Sequence, residues 1–382
     1  MWMAQTTASG MVPWYHWLGG APEDLRWRET GRKFFQWIAA NEKHFVNRES
    51  IANLGVVFSE RTNGFYTPPG GADSTEFLQG LYYALLEGRF LFEFVHEDDL
   101  GPAALKKYSA LLLPNVATLS DTQCAQLRDY VQSGGSLLAT FESSRYTEWG
   151  VRRDRPGLAD LFGFEIAGAI EGPNGNSYYA RIEAPHPILK NFEGTKVLPG
   201  AEYRLRTKSD AALVLSVVEP YPAFPPEMVY TKTPRTAEHA VILRERGSSR
   251  LAWFPGDVDR SFWRSNNGDL SLLLRNTIGW LLKDTQPATV KGDGMVELFA
   301  WRTQPGYAVH VLNYTNPNML RGWFRDTYPI GPQHVTIRLP DTRAVKEVRE
   351  LRSGKLLEHR VSGDRIEFTI PEVRDYEIAT VT

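Results

Sequence analysis

The sequence predicts an α/β domain built on a largely parallel sheet, followed by a small antiparallel β-sandwich. Three observations predict it. Between residues 51 and 285, short apolar runs alternate with segments of helical periodicity. Those runs are continuous, as strands covered on both faces require. After Thr285-Gln286-Pro287 the helical pattern gives way to two-residue alternation. At 382 residues the chain exceeds one ordinary core, and two or three units of roughly 100–200 residues are expected.

The first buried strand is read at residues 52–58 (ANLGVVF). Asp73 or Ser74 caps a helix through Leu78, Leu81, Tyr82 and Leu85 to Gly88, and a strand at 91–95 completes a crossover. A third strand spans 108–113. Ser120-Asp-Thr-Gln123 then has the form of a capping box, for a helix ending at Gly134-Gly135. The strand at 136–141 follows. Residues 156–283 add a helix near 158–162, strands at 178–182, 213–218, 240–243 and 250–254, and a helix at 270–282. These strands are expected to extend the same sheet. Repeated β/α units place the ligand-facing loops at the carboxyl ends of the strands. Beyond a linker near 284–290, runs at 296–301, 307–313, 335–339 and 366–370 read as the sandwich.

The first residues differ in character. Residues 11–18 (MVPWYHWL) read as a short strand entering an aromatic loop, and 24–45 as a helix with Trp27, Phe34, Phe35, Trp37, Ile38 and Phe45 on one strongly apolar face. That face needs a partner. The pair looks like the last β/α unit of a barrel. The expected boundaries are therefore 1–48 for this remnant, 49–285 for the α/β domain and 286–382 for the sandwich.

Composition narrows the function. With 43 Lys and Arg against 45 Asp and Glu, the net charge of −2 offers no general attraction to nucleic acid or an anionic membrane. Cys124 is the only cysteine, which excludes an intramolecular disulfide and a cysteine-based zinc site. His96-Glu-Asp-Asp99 sits at a strand end where carboxylates can bind a metal or sugar hydroxyls, though a solvated acidic loop explains it as well, and no metal or cofactor is expected. No apolar run approaches the ~20 residues needed to cross a bilayer, and residues 1–20 lack a secretion pattern, so a cytoplasmic location is the default expectation. The 11 Trp and 12% aromatic content suit flat rings that stack on sugars.

The stretches 53–59, 111–115 (LLLPN), 130–138 (YVQSGGSLL), 253–260 (WFPGDVDR) and 375–377 (DYE), in this order, resemble the β-galactosidases of glycoside hydrolase family 42. The resemblance covers residues 51–382. It implies a flavodoxin-like, class I amidotransferase-like trimerisation domain and a terminal β domain behind a catalytic barrel. It also implies carbohydrate as the substrate, and as partner either further copies of the chain, a trimer, or a separate barrel. The family's two catalytic glutamates belong to barrel strands that would precede Met1, and no position here matches them. Retaining hydrolysis needs two carboxyl groups ~5–5.5 Å apart across the sugar. The implied role is an accessory and oligomerisation region.

Two other classes remain open. A hydrolase or amidotransferase with its own site at the sheet loops would require Glu60, His96, Glu142 and Asp257 to converge. A sugar-binding module without chemistry would use aromatic platforms and hydroxyl-orienting polar groups. The candidate binding residues are Asp257, Asp259, Arg260 and Trp263, two carboxylates, a guanidinium and an indole directly after an apolar strand, together with Trp14, His16 and Trp17 in the aromatic loop. An ion pair anchoring a loop is the competing reading of the first group. Cys124 lies within a helix, where packing explains it, and Ser143 and Ser144 lack a nucleophile-elbow frame. Asn313-Tyr-Thr315 has the form of a glycosylation acceptor.

Overall fold

The computed structural model describes residues 2–14, 23–174, 178–316 and 327–382. They form two compact units. An α/β unit comprises residues 53–88 and 92–285, and a sandwich unit comprises 1–52, 89–91 and 286–382.

The chain opens in the sandwich unit with helices α1 (Trp2–Ala8) and α2 (Arg26–Ala40) and the short strand β1 (Glu49–Ser50). The expected strand at residues 11–18 is not formed at 11–14, and 15–18 lie outside the described residues. Pro13 has no N–H to donate to a ladder, and Met11, Val12 and Trp14 are exposed.

The α/β unit follows with β2 (Leu54–Phe58), α3 (Glu60–Phe65), α4 (Thr75–Glu87), β3 (Glu93–His96), α5 (Pro102–Leu105), β4 (Ala110–Leu113), α6 (Asp121–Gln132), β5 (Ser136–Thr140) and α7 (Ala159–Phe162). Next come β6 (Phe164–Glu171), β7 (Tyr179–Ile182), β8 (Val197–Pro199), β9 (Arg204–Ser209), β10 (Leu215–Val218), β11 (Ile242–Arg246), β12 (Ser249–Phe254), α8 (Val258–Ser265) and α9 (Gly268–Leu282).

Its main sheet has the order β11-β12-β5-β4-β2-β3, parallel except for the edge strand β11. Each parallel strand runs into a helix or loop at one end of the sheet. The Ser120–Gln123 capping box is formed, with both reciprocal bonds present, and the Asp73 carboxylate accepts from the Thr75 N–H before α4. Cys124, Leu127 and Val131 on α6 cover one sheet face with Leu111, Leu113, Leu137, Leu251 and Trp253. Trp253 meets Phe162 and Phe164 with ring centroids 5.0 and 4.8 Å away. Gly80 lies inside α4 because a Cβ there would fall 1.9 Å from the Asp259 carbonyl oxygen of α8.

One expectation is corrected. Only β11 and β12 extend the main sheet, whereas β10-β7-β8 form a separate antiparallel sheet and β6-β9 a two-stranded ribbon. For the ribbon the burial patterns agree: β12 and β5 are buried almost throughout, while β6 and β9 keep exposed positions among buried ones; β10, buried throughout, pairs antiparallel with β7 instead. A strand with one wet side cannot enter the middle of a doubly covered sheet.

The sandwich unit continues with β13 (Ala288–Lys291), β14 (Val296–Thr303), β15 (Gly306–Asn313), β16 (Gln333–Arg338), β17 (Val348–Glu350), β18 (Leu356–Leu357), β19 (His359–Ser362), β20 (Arg365–Ile370) and β21 (Tyr376–Val381). The antiparallel sheets β1-β14-β15-β21-β17-β18 and β13-β16-β20-β19 share one core, which includes Leu298, Val311, Ile337, Phe368 and Val381. The apolar face of α2 finds its partner on the back of the larger sheet, where Phe34 and Trp37 join Ala308, Leu312, Tyr376 and Ile378.

Candidate functional site at the carboxyl end of the parallel sheet

Three backbone positions at this end of the sheet have left-handed φ without being glycine: Asn115 (+43°) after β4, and Phe141 (+48°) and Ser144 (+60°) after β5. Such conformations persist only where surrounding contacts hold them. Here a buried hydrogen-bond chain does so. The Thr140 hydroxyl donates to Asp259 Oδ2 at 2.7 Å and accepts the Asn115 N–H at 2.8 Å. Asn115 Oδ1 accepts the Glu142 N–H at 3.0 Å. The Glu142 carboxylate accepts from the Tyr66 hydroxyl at 2.7 Å and the Tyr146 hydroxyl at 3.3 Å. Arg145 lies 3.3 Å away as its ion partner, and both side chains are only 1% exposed. Burial pushes the Glu142 carboxyl up and the Arg145 guanidinium down, against the attraction between them. Phe141 is buried and stacks on Phe77, with centroids 6.0 Å apart.

Asp257, Asp259 and Arg260 come together in the first turn of α8 and just before it. All three are buried. Asp257 accepts from the Tyr203 N–H at 2.9 Å, the Ser261 hydroxyl at 3.1 Å and Arg260 at 2.8 Å. Arg260 also reaches Glu76 on α4 at 2.9 Å and Glu202 at 3.1 Å. Every one of these bonds is internal, so the group ties α8 to α4 and to the segment before β9. Among the described residues no cation pairs with Asp259. Burial, with the Asp257 charge beside it, pushes its carboxyl up to about 7. Trp263 is directed elsewhere, its ring 5.4 Å from Tyr83 of α4.

The convergence of Glu60, His96, Glu142 and Asp257 is not seen. Glu60 is exposed at the start of α3, and His96 uses Nδ1 to accept the Asp98 N–H. Its neighbour Glu97 is the buried carboxylate of that strand end, accepting from the Ser59 hydroxyl at 2.6 Å and the Arg61 N–H at 3.0 Å. The Ser143 hydroxyl donates to the carbonyls of Thr140 and Leu113, and the Ser144 hydroxyl accepts the Leu158 N–H. Cys124 is buried, and burial pushes its thiol up to about 11. A thiol so raised is protonated at neutral pH and is not a nucleophile.

A recess of about 540 Å³, its mouth included, adjoins this network. The end of β12 (Phe254-Pro-Gly256), Val258 and Leu273 of α9 form one wall, and β7, β8 and β10 form the other. Tyr178, Arg204 and His239 also line it. A second recess of about 290 Å³ lies where the strand order reverses between β2 and β4, lined by Ser59, Thr62, Thr75 and Pro114 among others. Sequence reasoning did not find Tyr66, Tyr146, Arg204 or His239. They come from four separate segments, and no spacing links them.

In the sandwich unit, Trp14 is 72% exposed, while His16 and Trp17 lie outside the described residues. Asn313 is buried, its amide donating to the carbonyls of Tyr328 and Arg374 at 2.7 and 2.8 Å, so it organises a loop instead of offering a glycan acceptor. Among the described residues no group of three His, Cys, Asp or Glu is placed to hold a metal, and no helix is long and apolar enough to cross a membrane.

No family model and no curated protein matches the chain. Solved structures do. An alpha-L-fucosidase isoenzyme 2 from Paenibacillus thiaminolyticus is 18% identical, with a TM-score of 0.72, over 99% of this chain and 56% of its own. A beta-galactosidase from Bacillus circulans sp. alkalophilus is 14% identical, TM-score 0.65, over 95% and 46%. A catalytic mutant of a GH42 beta-galactosidase from G. stearothermophilus is 15% identical, TM-score 0.60, over 95% and 45%. The chain thus has a fold found in glycoside hydrolases and spans about half the length of these structures.

Proposed function

We propose that the chain is a non-catalytic accessory region of a glycoside-hydrolase architecture, a flavodoxin-like domain and a β-sandwich that serve a catalytic barrel acting on carbohydrate. On this reading residues 1–48 correspond to the last β/α unit of that barrel, 49–285 to an amidotransferase-like domain and 286–382 to the terminal β domain. The observation that carries it is Phe141. Amidotransferase-like folds place a nucleophile on a sharp turn directly after a sheet strand. Here the residue after β5 keeps left-handed φ but is a buried phenylalanine stacked on Phe77. The nearby carboxylates Glu97, Glu142, Asp257 and Asp259 spend their oxygens on internal hydrogen bonds. The likeness to hydrolases over almost the whole of this chain supports the architecture. Trimerisation, or docking on a separate barrel, belongs to the same reading.

The test is turnover of 4-nitrophenyl β-D-galactoside and 4-nitrophenyl α-L-fucoside by the purified chain. We expect no rate above that of the Asp257→Asn variant. A wild-type rate that this substitution abolishes overturns the proposal. Light scattering at micromolar concentration tests the association clause, with a trimer expected and a monomer removing it.

A further inference from the structure

The segments that follow β2 and β5 meet in an aromatic patch at the surface of the α/β unit. Trp149 is 70% exposed, Val151 62%, and Phe65, at the end of α3, 52%. The Phe65 and Trp149 rings meet near edge-to-face, with centroids 6.0 Å apart and planes at 63°. Phe65 thus steadies the indole from one side, and an indole so exposed keeps a face open to solvent. In an open α/β sheet, ligands bind outside the carboxyl ends of the strands, where this patch lies.

The turn that carries Trp149 is held on every side. Residues 145–153 form a tight hairpin: the Arg153 N–H donates to the Arg145 carbonyl at 2.8 Å, Tyr146 bridges Arg152, the Thr147 N–H donates to the Val151 carbonyl at 2.8 Å, and the Gly150 N–H closes the turn on the Thr147 carbonyl at 3.0 Å. The Thr147 hydroxyl accepts the Val151 N–H at 3.2 Å, and the Arg153 guanidinium donates to the Leu119 carbonyl at 2.8 Å. Gly150, at φ +74°, sits so close to α3 that a Cβ would fall 2.6 Å from the Phe65 carbonyl oxygen. Trp149 is therefore presented by a fixed turn, and little chain entropy is lost when a ligand stacks on it.

The surroundings narrow the occupant. Two rings and a valine at these exposures amount to roughly 400 Å² of apolar surface, well short of the ~800 Å² per partner of a stable protein interface. The charges beside the patch balance. Arg61 pairs with Asp98 at 2.7 Å and lies within electrostatic reach of Glu148, while Arg152 follows Val151. A charged ligand gains no net attraction from two cations and two anions. We infer that the patch binds a neutral oligosaccharide, one pyranose laying its C–H face on Trp149 while Glu148 and Arg152, on either side of the turn, meet its hydroxyls. The ligand class rests on the accessory reading above, whereas the site rests on the exposed and fixed indole.

The probes are 2′-fucosyllactose, which is neutral, and 3′-sialyllactose, its anionic counterpart on the same lactose core, titrated into the whole chain and followed by saturation-transfer NMR and calorimetry. We expect 2′-fucosyllactose to bind with a Kd of about 1 mM or below, at least as tightly as 3′-sialyllactose. Trp149→Ala weakens it about tenfold, the worth of one stacked ring, and Trp149→Phe keeps it within about threefold. Both variants keep the wild-type circular dichroism spectrum and the wild-type mass in light scattering. The inference is overturned by no binding of 2′-fucosyllactose, by tighter binding of 3′-sialyllactose, by binding that Trp149→Ala leaves intact, or by a fall in mass of Trp149→Ala, which would assign the patch to a second copy of the chain. The wild-type comparison decides the matter even if a variant does not fold. Turnover of a 4-nitrophenyl glycoside by the wild-type chain would end the accessory reading alone, whereas binding that ignores Trp149 ends this inference alone.

Discussion

Among the described residues, each unit buries one titratable group completely without a counter-charge bonded to it, but the two groups have opposite signs. In the α/β unit it is Asp259, hydrogen-bonded to Thr140 and to the Arg260 N–H, with the Asp257 charge adding to the cost of its own. In the sandwich unit it is His310, whose Nδ1 meets the Tyr376 hydroxyl at 2.7 Å and whose like-charged neighbours are Arg48 and His44. Burial pushes the Asp259 carboxyl up to about 7 and holds the His310 imidazole well below its ordinary value of 6.5. A buried core penalises charge of either sign, and the sign decides which pH exposes the penalty.

For Asp259 the folded pKa exceeds the unfolded one, so the penalty is fully present above pH ~7 and fades as pH falls towards ~4, where the folded chain holds a proton that the unfolded chain has lost. For His310 the folded pKa is the lower. Stability is unaffected above pH ~6.5 and is lost below it, because only the unfolded chain takes up the proton. Mild acid should therefore favour one unit and weaken the other.

The largest expected effect breaks the contact that buries Asp259. Gly80→Ala would place a methyl against the Asp259 carbonyl oxygen, and forcing α4 from α8 should cost about 3 kcal/mol in urea denaturation. An unchanged midpoint would show that the helices are less closely packed than the structure has them. Next, Asp259→Asn removes the buried charge. Each pKa unit is worth ~1.4 kcal/mol, but the amide must find acceptors of its own, so a net gain of about 2 kcal/mol at pH 8 is expected, vanishing towards pH 5. A loss of stability at pH 8 would mean that Asp259 is more stable charged. His310→Phe should cost about 1 kcal/mol at pH 7.5 through the Tyr376 hydroxyl, and should remove about 1 kcal/mol of the destabilisation between pH 7.5 and 5.5. Equal acid sensitivity of variant and wild type would shift that role to other groups. The smallest effect is Gly279→Ala in α9, where an added Cβ meets nothing within 4 Å. It should raise stability by about 0.5–1 kcal/mol through helix propensity alone, the counterpart of Gly80.

Features that depend on a few adjacent residues were legible in the sequence. The continuous runs at β2, β4 and β5 declare doubly covered strands, Ser120 and Gln123 declare a helix start, and the alternation of β16 and β20 declares a sandwich. The site was legible only in part. The 257–260 stretch drew attention because charge followed an apolar strand, yet the same residues would serve a solvent-facing site and a buried anchor, and linear spacing does not distinguish them. Tyr66, Tyr146 and His239 gave no signal, since each acquires its role from a partner or cavity wall elsewhere in the chain.

By itself the sequence determined the class of each core, because apolar periodicity and capping act within a turn or a strand. Only the tertiary structure decided that β7, β8 and β10 leave the main sheet, that α2 covers the back of the sandwich, and that Asp257 and Asp259 face inward. It also decided that Phe141 fills the strained turn after β5. Burial and strand pairing are set by residues far apart in the chain, and they determine whether a carboxylate meets water or another side chain.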